Sequence, residues 1–168
     1  VSYLGDREIV HAADISKAIE KKLLLYDKAG EEHYNLISAL IKSMRASDPD
    51  AAMYWLQRML AAGDDPYYMI RRMVRFATED IGLADPGALT MALNASQSFR
   101  MLGHPEGDDA LFQAAVYLST APKSNSVYKA AKHIRRTIDE TGYLPVPMHI
   151  RNAPTALMKQ MGYGKGYE

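Results

Sequence analysis

The chain contains no cysteine, which removes disulfide bonds, thiolate zinc sites and cysteine nucleophiles together. It also lacks net charge. Twenty Lys and Arg residues balance twenty Asp and Glu residues, so it is neither a generally polycationic nucleic-acid binder nor an acidic solvating tail, and any polyanion site must be local. No apolar run approaches the length of a membrane span. No charged, apolar and cleavage-site succession opens the chain; the expectation is a cytoplasmic protein with no membrane contact. No segment alternates apolar and polar residues as a half-buried strand does. What is present is 168 residues, 48% of them apolar, with a mean hydropathy of −0.25. That is one globular domain, or one with a small appendage, able to bury roughly 70% of its unfolded surface without staples. The Val at position 1 and the ending in Gly-Tyr-Gly-Lys-Gly-Tyr-Glu suggest a piece of something longer.

Helical periodicity dominates and predicts an all-α bundle of about seven helices. The breaks repeat one punctuation, an Asp or small polar cap followed by Pro, with Gly at the far end. The first helix, about Asp14 to Leu24, faces inward with Ile15, Ala18, Ile19 and Leu23. The second, about Glu31 to Arg45, carries a buried stripe of Tyr34, Ile37, Leu40, Ile41 and Met44. Asp48 and Pro49 open a third, with Ala52, Trp55, Leu56, Met59 and Leu60 inward and Gly63 as its stop. Asp65 and Pro66 open a fourth that runs to Ile81, with Ile70, Met73, Val74 and Ala77 inward and Gly82 as terminator. Asp85 and Pro86 open a fifth with Leu89, Ala92, Leu93 and Phe99 inward; a sixth, from about Pro105, buries Ala110, Leu111, Ala114, Ala115 and Leu118. Ser124 caps a seventh that packs Val127, Ala130, Ala131, Ile134 and Ile138 before Gly142. Leu144-Pro145-Val146-Pro147 must be extended and is expected to lie across the helices, and Pro154 starts a last short helix ending at Gly162. The one candidate boundary is Asp27 to Gly30.

The usual catalytic constellations are missing. The only Gly-Lys, Gly164-Lys165, is followed by Gly166, not by the hydroxyl residue a phosphate loop needs for magnesium. A di-metal bundle requires paired Glu-x-x-His motifs, and only Glu8 to His11 matches. His33, His104, His133 and His149 form no i,i+4 pair, and there is no G-x-S-x-G. No catalytic, cofactor-binding or metal residue is therefore assigned.

Two charged features stand out. Glu79 and Asp80 sit in the last turn of the predicted fourth helix, where the macrodipole disfavours anions by roughly 0.3–1 kcal/mol each. Arg75, four residues before Glu79, is a candidate ion-pair partner, with Arg71, Arg72 or the distant Arg151 as others; a structural network fixing the turn into Gly82-Leu83-Ala84-Asp85-Pro86 is the plainer reading and a functional acidic site the alternative. The second feature is basic. From Lys123 to Thr137 there are five Lys or Arg and no acid. Lys129, Lys132, His133 and Arg136 cluster opposite the apolar residues of that helix, and Lys123 and Asn125 flank a helix start whose backbone N–H groups suit a phosphate. This face either is solvated, or contacts DNA phosphates, or meets acids of a neighbouring subunit such as Glu106, Asp108 or Asp109. Tyr67, Tyr68, Met69 and Met73, clustered at one helix start, hint at apolar surface beyond the need of a single bundle, with core filling the alternative for each.

Several ordered motifs carry a resemblance: His33-Tyr34-Asn35-Leu36-Ile37-Ser38-Ala39-Leu40, Ser47-Asp48-Pro49-Asp50-Ala51-Ala52, Tyr54-Trp55-Leu56, Glu79-Asp80-Ile81-Gly82-Leu83-Ala84-Asp85-Pro86, Ala121-Pro122-Lys123-Ser124-Asn125 with Val127-Tyr128, Pro145-Val146-Pro147 with His149, and Arg151-Asn152-Ala153-Pro154-Thr155 with Leu157-Met158-Lys159. Over about residues 20 to 168 the chain resembles the helical region after the ATPase core in the replication-associated recombination protein A family. These clamp-loader-like AAA+ ATPases are also called maintenance of genome stability protein A and are similar to the Werner helicase-interacting protein. The resemblance implies a collar-like fold and a C-terminal oligomerisation domain that assembles homotetramers. It implies a parent that uses ATP and Mg, acts at stalled forks and on single-stranded or forked DNA in replication, recombination and repair, and in a bacterium is nucleoid-associated, with replication proteins as possible partners. The family's phosphate loop, Asp-Glu magnesium motif and sensor arginines lie upstream and have no counterpart here; Gly5-Asp6-Arg7 only superficially echoes the lid motif. Residues 1–26 are then the end of the ATPase lid and 27–168 the oligomerisation domain, with no cofactor in this segment.

Overall fold

A computed structural model describes residues 31–167, together with the single position 12. The predicted first helix, Glu8, His11, Gly5-Asp6-Arg7 and the candidate boundary at Asp27 to Gly30 lie outside the described residues. The chain divides into two compact units, one through Tyr128 and one from Lys129 to Glu168.

In the first unit, α1 (Glu31–Arg45), α2 (Pro49–Ala62), α3 (Pro66–Phe76), α4 (Gly87–Leu102) and α5 (Asp108–Thr120) are joined by short turns. The cap chemistry is local. The Asp48 carboxylate accepts from the Ala51 N–H at 2.9 Å with Pro49 in the first turn of α2, and Asp65 accepts from the Tyr67 N–H at 3.0 Å with Pro66 opening α3. Each satisfies an orphan donor of the first turn, while proline has no donor to lose there. Gly63 ends α2 at φ 77, left-handed backbone that a side chain disfavours. Among the described residues there is no strand.

α5 is the central helix, packed by α1, α2, α3 and α4. Its Leu111, Ala114, Ala115 and Leu118 are fully buried, and the paired alanines let neighbouring backbones approach closely. Ser119, also fully buried, donates to the Ala115 carbonyl at 2.7 Å, so among the described residues the core holds no unsatisfied hydroxyl. Leu40, Met44, Leu56, Met59, Met69 and Met73 close around α5, each large side chain contributing about 1.5–3 kcal/mol by leaving water. Met69 and Met73 are thus core filler, whereas Tyr67 is exposed.

Three inward assignments are corrected. Tyr34 is exposed because the buried arc of α1 recentres on Leu36, Ile37, Leu40 and Ile41, which leaves Tyr34 about 90° from its middle at 100° per residue. Leu93 is exposed because α4 packs its Ala88, Ala92, Ala95 and Phe99 edge instead, a narrow stripe whose three alanines suit close contact with α5. The third correction is larger: Val127, Ala130, Ile134 and Ile138, expected to pack, are exposed, the three branched residues by 44%, 58% and 47%, and the helix that carries them, α6 (Ser126–Thr141), buries no residue.

The predicted fourth helix does not continue as an α-helix to Ile81. After Phe76 the chain widens into a π-helical turn, Ala77–Ile81, and a 3₁₀ turn, Gly82–Ala84. The Thr78 hydroxyl donates to the Arg75 carbonyl at 2.9 Å, and the wider turn keeps both Ala77 and Ile81 in the core.

In the second unit, α6 is followed by an extended segment in which Leu144 and Val146 are exposed, a 3₁₀ turn (Met148–Ile150) and α7 (Ala156–Gln160). The Thr155 hydroxyl caps α7 by accepting from the Met158 N–H at 3.2 Å.

Candidate interaction surfaces and ionic junction

Asp80 is the hub of the first unit's charged junction. Its carboxylate takes a two-pronged hydrogen bond from Arg45, Nε to Oδ1 at 2.7 Å and Nη2 to Oδ2 at 3.2 Å, while its main-chain carbonyl accepts from the Ser124 N–H at 2.8 Å. The Asp80 bond holds the Arg45 guanidinium above its ordinary pKa against the opposing effect of burial. Next to it, Arg75 Nε donates to Glu79 Oε2 at 2.7 Å, one helical turn away, which raises the Arg75 pKa. The two acids that oppose the dipole are thus answered by separate arginines.

Gly82 completes the junction at φ 54 and ψ −128. A Cβ there would lie 3.3 Å from the Ser124 carbonyl oxygen and 3.7 Å from a Val127 methyl, so glycine is required both by the dihedral and by the close approach of the chain before α6. Beyond it the Asp85 carboxylate accepts from the Gly87 N–H at 2.9 Å and from the Tyr117 hydroxyl at 2.8 Å. That second bond raises the Tyr117 pKa.

Lys123 has an inward job. Its ammonium donates to the Ser119 and Ala121 carbonyls at 2.8 and 2.6 Å, satisfying acceptors at the end of α5, and lies 5.9 Å from the centre of the Phe76 ring. Burial lowers its pKa, opposed by Asp80. The helix start next to it is also less open than expected, since the Ser124 N–H is already given to Asp80. Neither Lys123 nor that N–H points outward to meet a phosphate. Asn125, Lys129, Lys132 and Arg136 are exposed, and Arg136 Nε donates to Glu140 Oε1 at 2.6 Å. Among the acids named as alternative partners, Asp108 is buried and bonded to His104 Nδ1 at 2.7 Å, whereas Glu106 and Asp109 are exposed.

Arg151 belongs to the second unit, where it donates to the Val146 carbonyl and to the Tyr163 hydroxyl at 3.4 Å, with its guanidinium 5.3 Å from the Tyr163 ring centre. It pins the proline-rich segment to the chain after α7. Among the described residues no three His, Asp or Glu side chains converge on a metal position, and no helix is long and apolar enough to cross a membrane.

The spacing of Val127, Ala131, Ile134 and Ile138 is four, three and four residues, the seam of a heptad, and places all four within a narrow arc of α6. Lys129, Lys132 and Arg136 fall on the opposite arc, at about 140–200° from Val127 at 100° per residue. An apolar seam and a basic back therefore share one helix without overlapping.

Residues 46–168 match the family described as MgsA AAA+ ATPase C terminal, and residues 3–45 match that described as AAA C-terminal domain. The chain belongs to the MgsA C-terminal family. It is 53% identical to the replication-associated recombination protein A of Coxiella burnetii over 96% of this chain and 37% of that protein. It is 51% identical to the protein of the same name in Escherichia coli K12, over 84% of this chain and 32% of the relative, and 49% identical to ATPase WRNIP1 of Dictyostelium discoideum, over 89% and 17%. This MgsA C-terminal chain thus spans between 17% and 37% of the length of these relatives. One working residue, and the role of another that was read as a phosphate contact, escaped the sequence reading. Arg45 pairs with Asp80 from 35 positions away, for which no local spacing is a signal. Lys123 lies four residues after Ser119, whose carbonyl it caps, a spacing that does mark a lysine at a helix end.

Proposed function

We propose that this MgsA C-terminal chain is the self-association module of an AAA+ ATPase that acts in replication-fork maintenance, recombination and repair, and that it assembles a homotetramer. One observation carries the reading: the α6 seam of Val127, Ala131, Ile134 and Ile138 has the spacing of a helix pair, and its branched members stand about half exposed. A second copy covers such a seam, since one self-complementary patch closes a twofold pair, and a second patch joins two such pairs into a tetramer. Further apolar surface on Tyr143, Leu144, Val146, Leu157 and Met161 of the second unit extends what an interface of about 2,000 Å² or more requires. The names of the relatives support the parent role. In this reading residues 1–26 close the ATPase lid and 27–168 associate, while ATP, Mg and catalysis belong to the upstream part of the parent.

Light scattering coupled to size exclusion tests this directly. At tens of micromolar the wild-type chain should run as a tetramer, and Ile134→Glu with Ile138→Glu should run smaller with unchanged helical circular dichroism, since both positions are exposed in the single chain. A wild-type monomer overturns the proposal.

A second reading rests on a different observation, the exposure of Lys129, Lys132 and Arg136 on the back of α6. Because that arc is opposite the seam, DNA phosphates can be met by the assembled form, and contact with single-stranded or forked DNA complements self-association.

A further inference from the structure

We propose that the cleft between α1 and α3 binds a carboxylate group, with Arg72 as its principal ligand. The cleft has a volume of about 90 Å³ and is walled by Arg45, Arg72 and Arg75 over a floor of Ile41 and Phe76. Glu79 and Asp80 also reach its rim, but each is already engaged, Glu79 by Arg75 and Asp80 by Arg45. Three guanidinium groups against two carboxylates leave one positive charge. That charge is on Arg72, which has no acid partner among the described residues and whose buried Nε meets no acceptor.

The chemistry of the occupant follows from the walls. A guanidinium presents a planar fork that matches a carboxylate through two parallel hydrogen bonds. The Nε itself is closed to a group in the cleft, so an acceptor there is met by the two terminal nitrogens of the fork, which have no acid of their own among the described residues. One unbalanced positive charge selects a monoanion. A phosphate dianion would sit beside Glu79 and Asp80 and be repelled by both. The apolar floor accepts the methylene next to a carboxylate, and the cleft has room for a short carboxylate side chain or a small free acid. The inference is independent of the α6 seam, which shares no residue with this cleft.

Sodium propionate is the probe, with sodium chloride and sodium phosphate at equal ionic strength as references. If the carboxylate is a free small molecule, propionate raises the melting temperature of the wild-type chain saturably and more than either reference. At ten times its dissociation constant the folded-to-unfolded ratio rises about tenfold, and Arg72→Gln abolishes the rise. If the carboxylate is carried by a second copy, propionate instead lowers the mass of the wild-type assembly by light scattering, and Arg72→Gln gives a smaller assembly indifferent to propionate. Circular dichroism of Arg72→Gln shows that the helices persist in either case. Propionate that changes neither melting nor mass beyond chloride, or that acts alike on wild type and variant, overturns the proposal, as does a phosphate effect larger than that of propionate.

Discussion

Asp80 grips Arg45 through both carboxylate oxygens, at 2.7 and 3.2 Å, across 35 positions of chain. Arg45 ends α1 and Asp80 lies in the π-helical turn after α3, so the pair ties two elements that share no sequence neighbourhood. The Arg45 side chain is 52% exposed and that of Asp80 16%, which places the pair between a screened surface bridge and a buried one. A double-mutant cycle with Arg45→Ala and Asp80→Ala should give a coupling of about 1 kcal/mol in urea unfolding. Coupling indistinguishable from zero would mean that solvent screens the pair completely.

His33 and Asp64 are a second long-range pair, Nδ1 to Oδ1 at 3.0 Å, with the His33 ring stacked on Tyr68 at 4.8 Å between centres. Asp64 is buried, so His33→Ala removes its partner and leaves a carboxylate without a hydrogen bond. The expected loss is about 2 kcal/mol, and His33→Ala with Asp64→Asn should recover part of it, because the residual penalty is that of a lone buried charge. Chemical denaturation of the three variants checks the order.

The features legible in the sequence are those whose causes are local. Asp48-Pro49 and Asp65-Pro66 announce helix starts because the cap reaches only two or three residues forward, and the 3.6-residue period places Leu40, Met44, Leu56 and Leu118 inside. What escaped is set by distance or by the partner. Periodicity reports that α6 has an apolar face, yet not whether another element of the same chain covers it. The turn 77–81 looked like the end of an ordinary helix because widening to a π-turn depends on how Ile81 reaches the core. The Arg45–Asp80 pair and the cleft beside Arg72 exist only once α1 and α3 lie together.

Gly82→Ala tests the junction from the backbone. At φ 54 and ψ −128 a side chain is strained, and its Cβ would press on the Ser124 carbonyl oxygen at 3.3 Å. The variant should lose about 1–3 kcal/mol, and hydrogen exchange at the Ser124 amide should accelerate by more than the global loss of stability accounts for. Exchange that tracks global stability alone would mean that the Asp80–Ser124 bond survives the substitution.

Lys123 gives a pH dependence with a defined sign. Burial lowers its folded pKa below 10.5, so between the two values the unfolded chain binds more protons than the folded one. Stability from this group therefore rises with pH through that window. Tyr117 acts oppositely: its raised pKa contributes stability that is complete below about pH 10 and is lost as pH rises through the folded value. Lys123→Met should flatten the rise and Tyr117→Phe should remove the loss, both read as the pH slope of urea midpoints between pH 8 and 11.

The basic back of α6 is tested by salt. Lys129 and Lys132 are exposed without an acid partner among the described residues, whereas Arg136 donates to Glu140 at 2.6 Å. If that pair persists on binding, only the two lysines displace counterions, and the slope of log affinity against log salt for a single strand should be about −1.4. Glu140→Gln releases Arg136, raises affinity and steepens the slope to about −2. Lys123→Met should leave the slope unchanged, because that ammonium is spent on the carbonyls of α5. Fluorescence anisotropy with a labelled oligonucleotide over a salt series measures all three. A slope that ignores Glu140→Gln, or that falls with Lys123→Met, would refute this assignment of phosphate contacts; a wild-type slope near zero would leave the basic arc to protein acids and not to DNA.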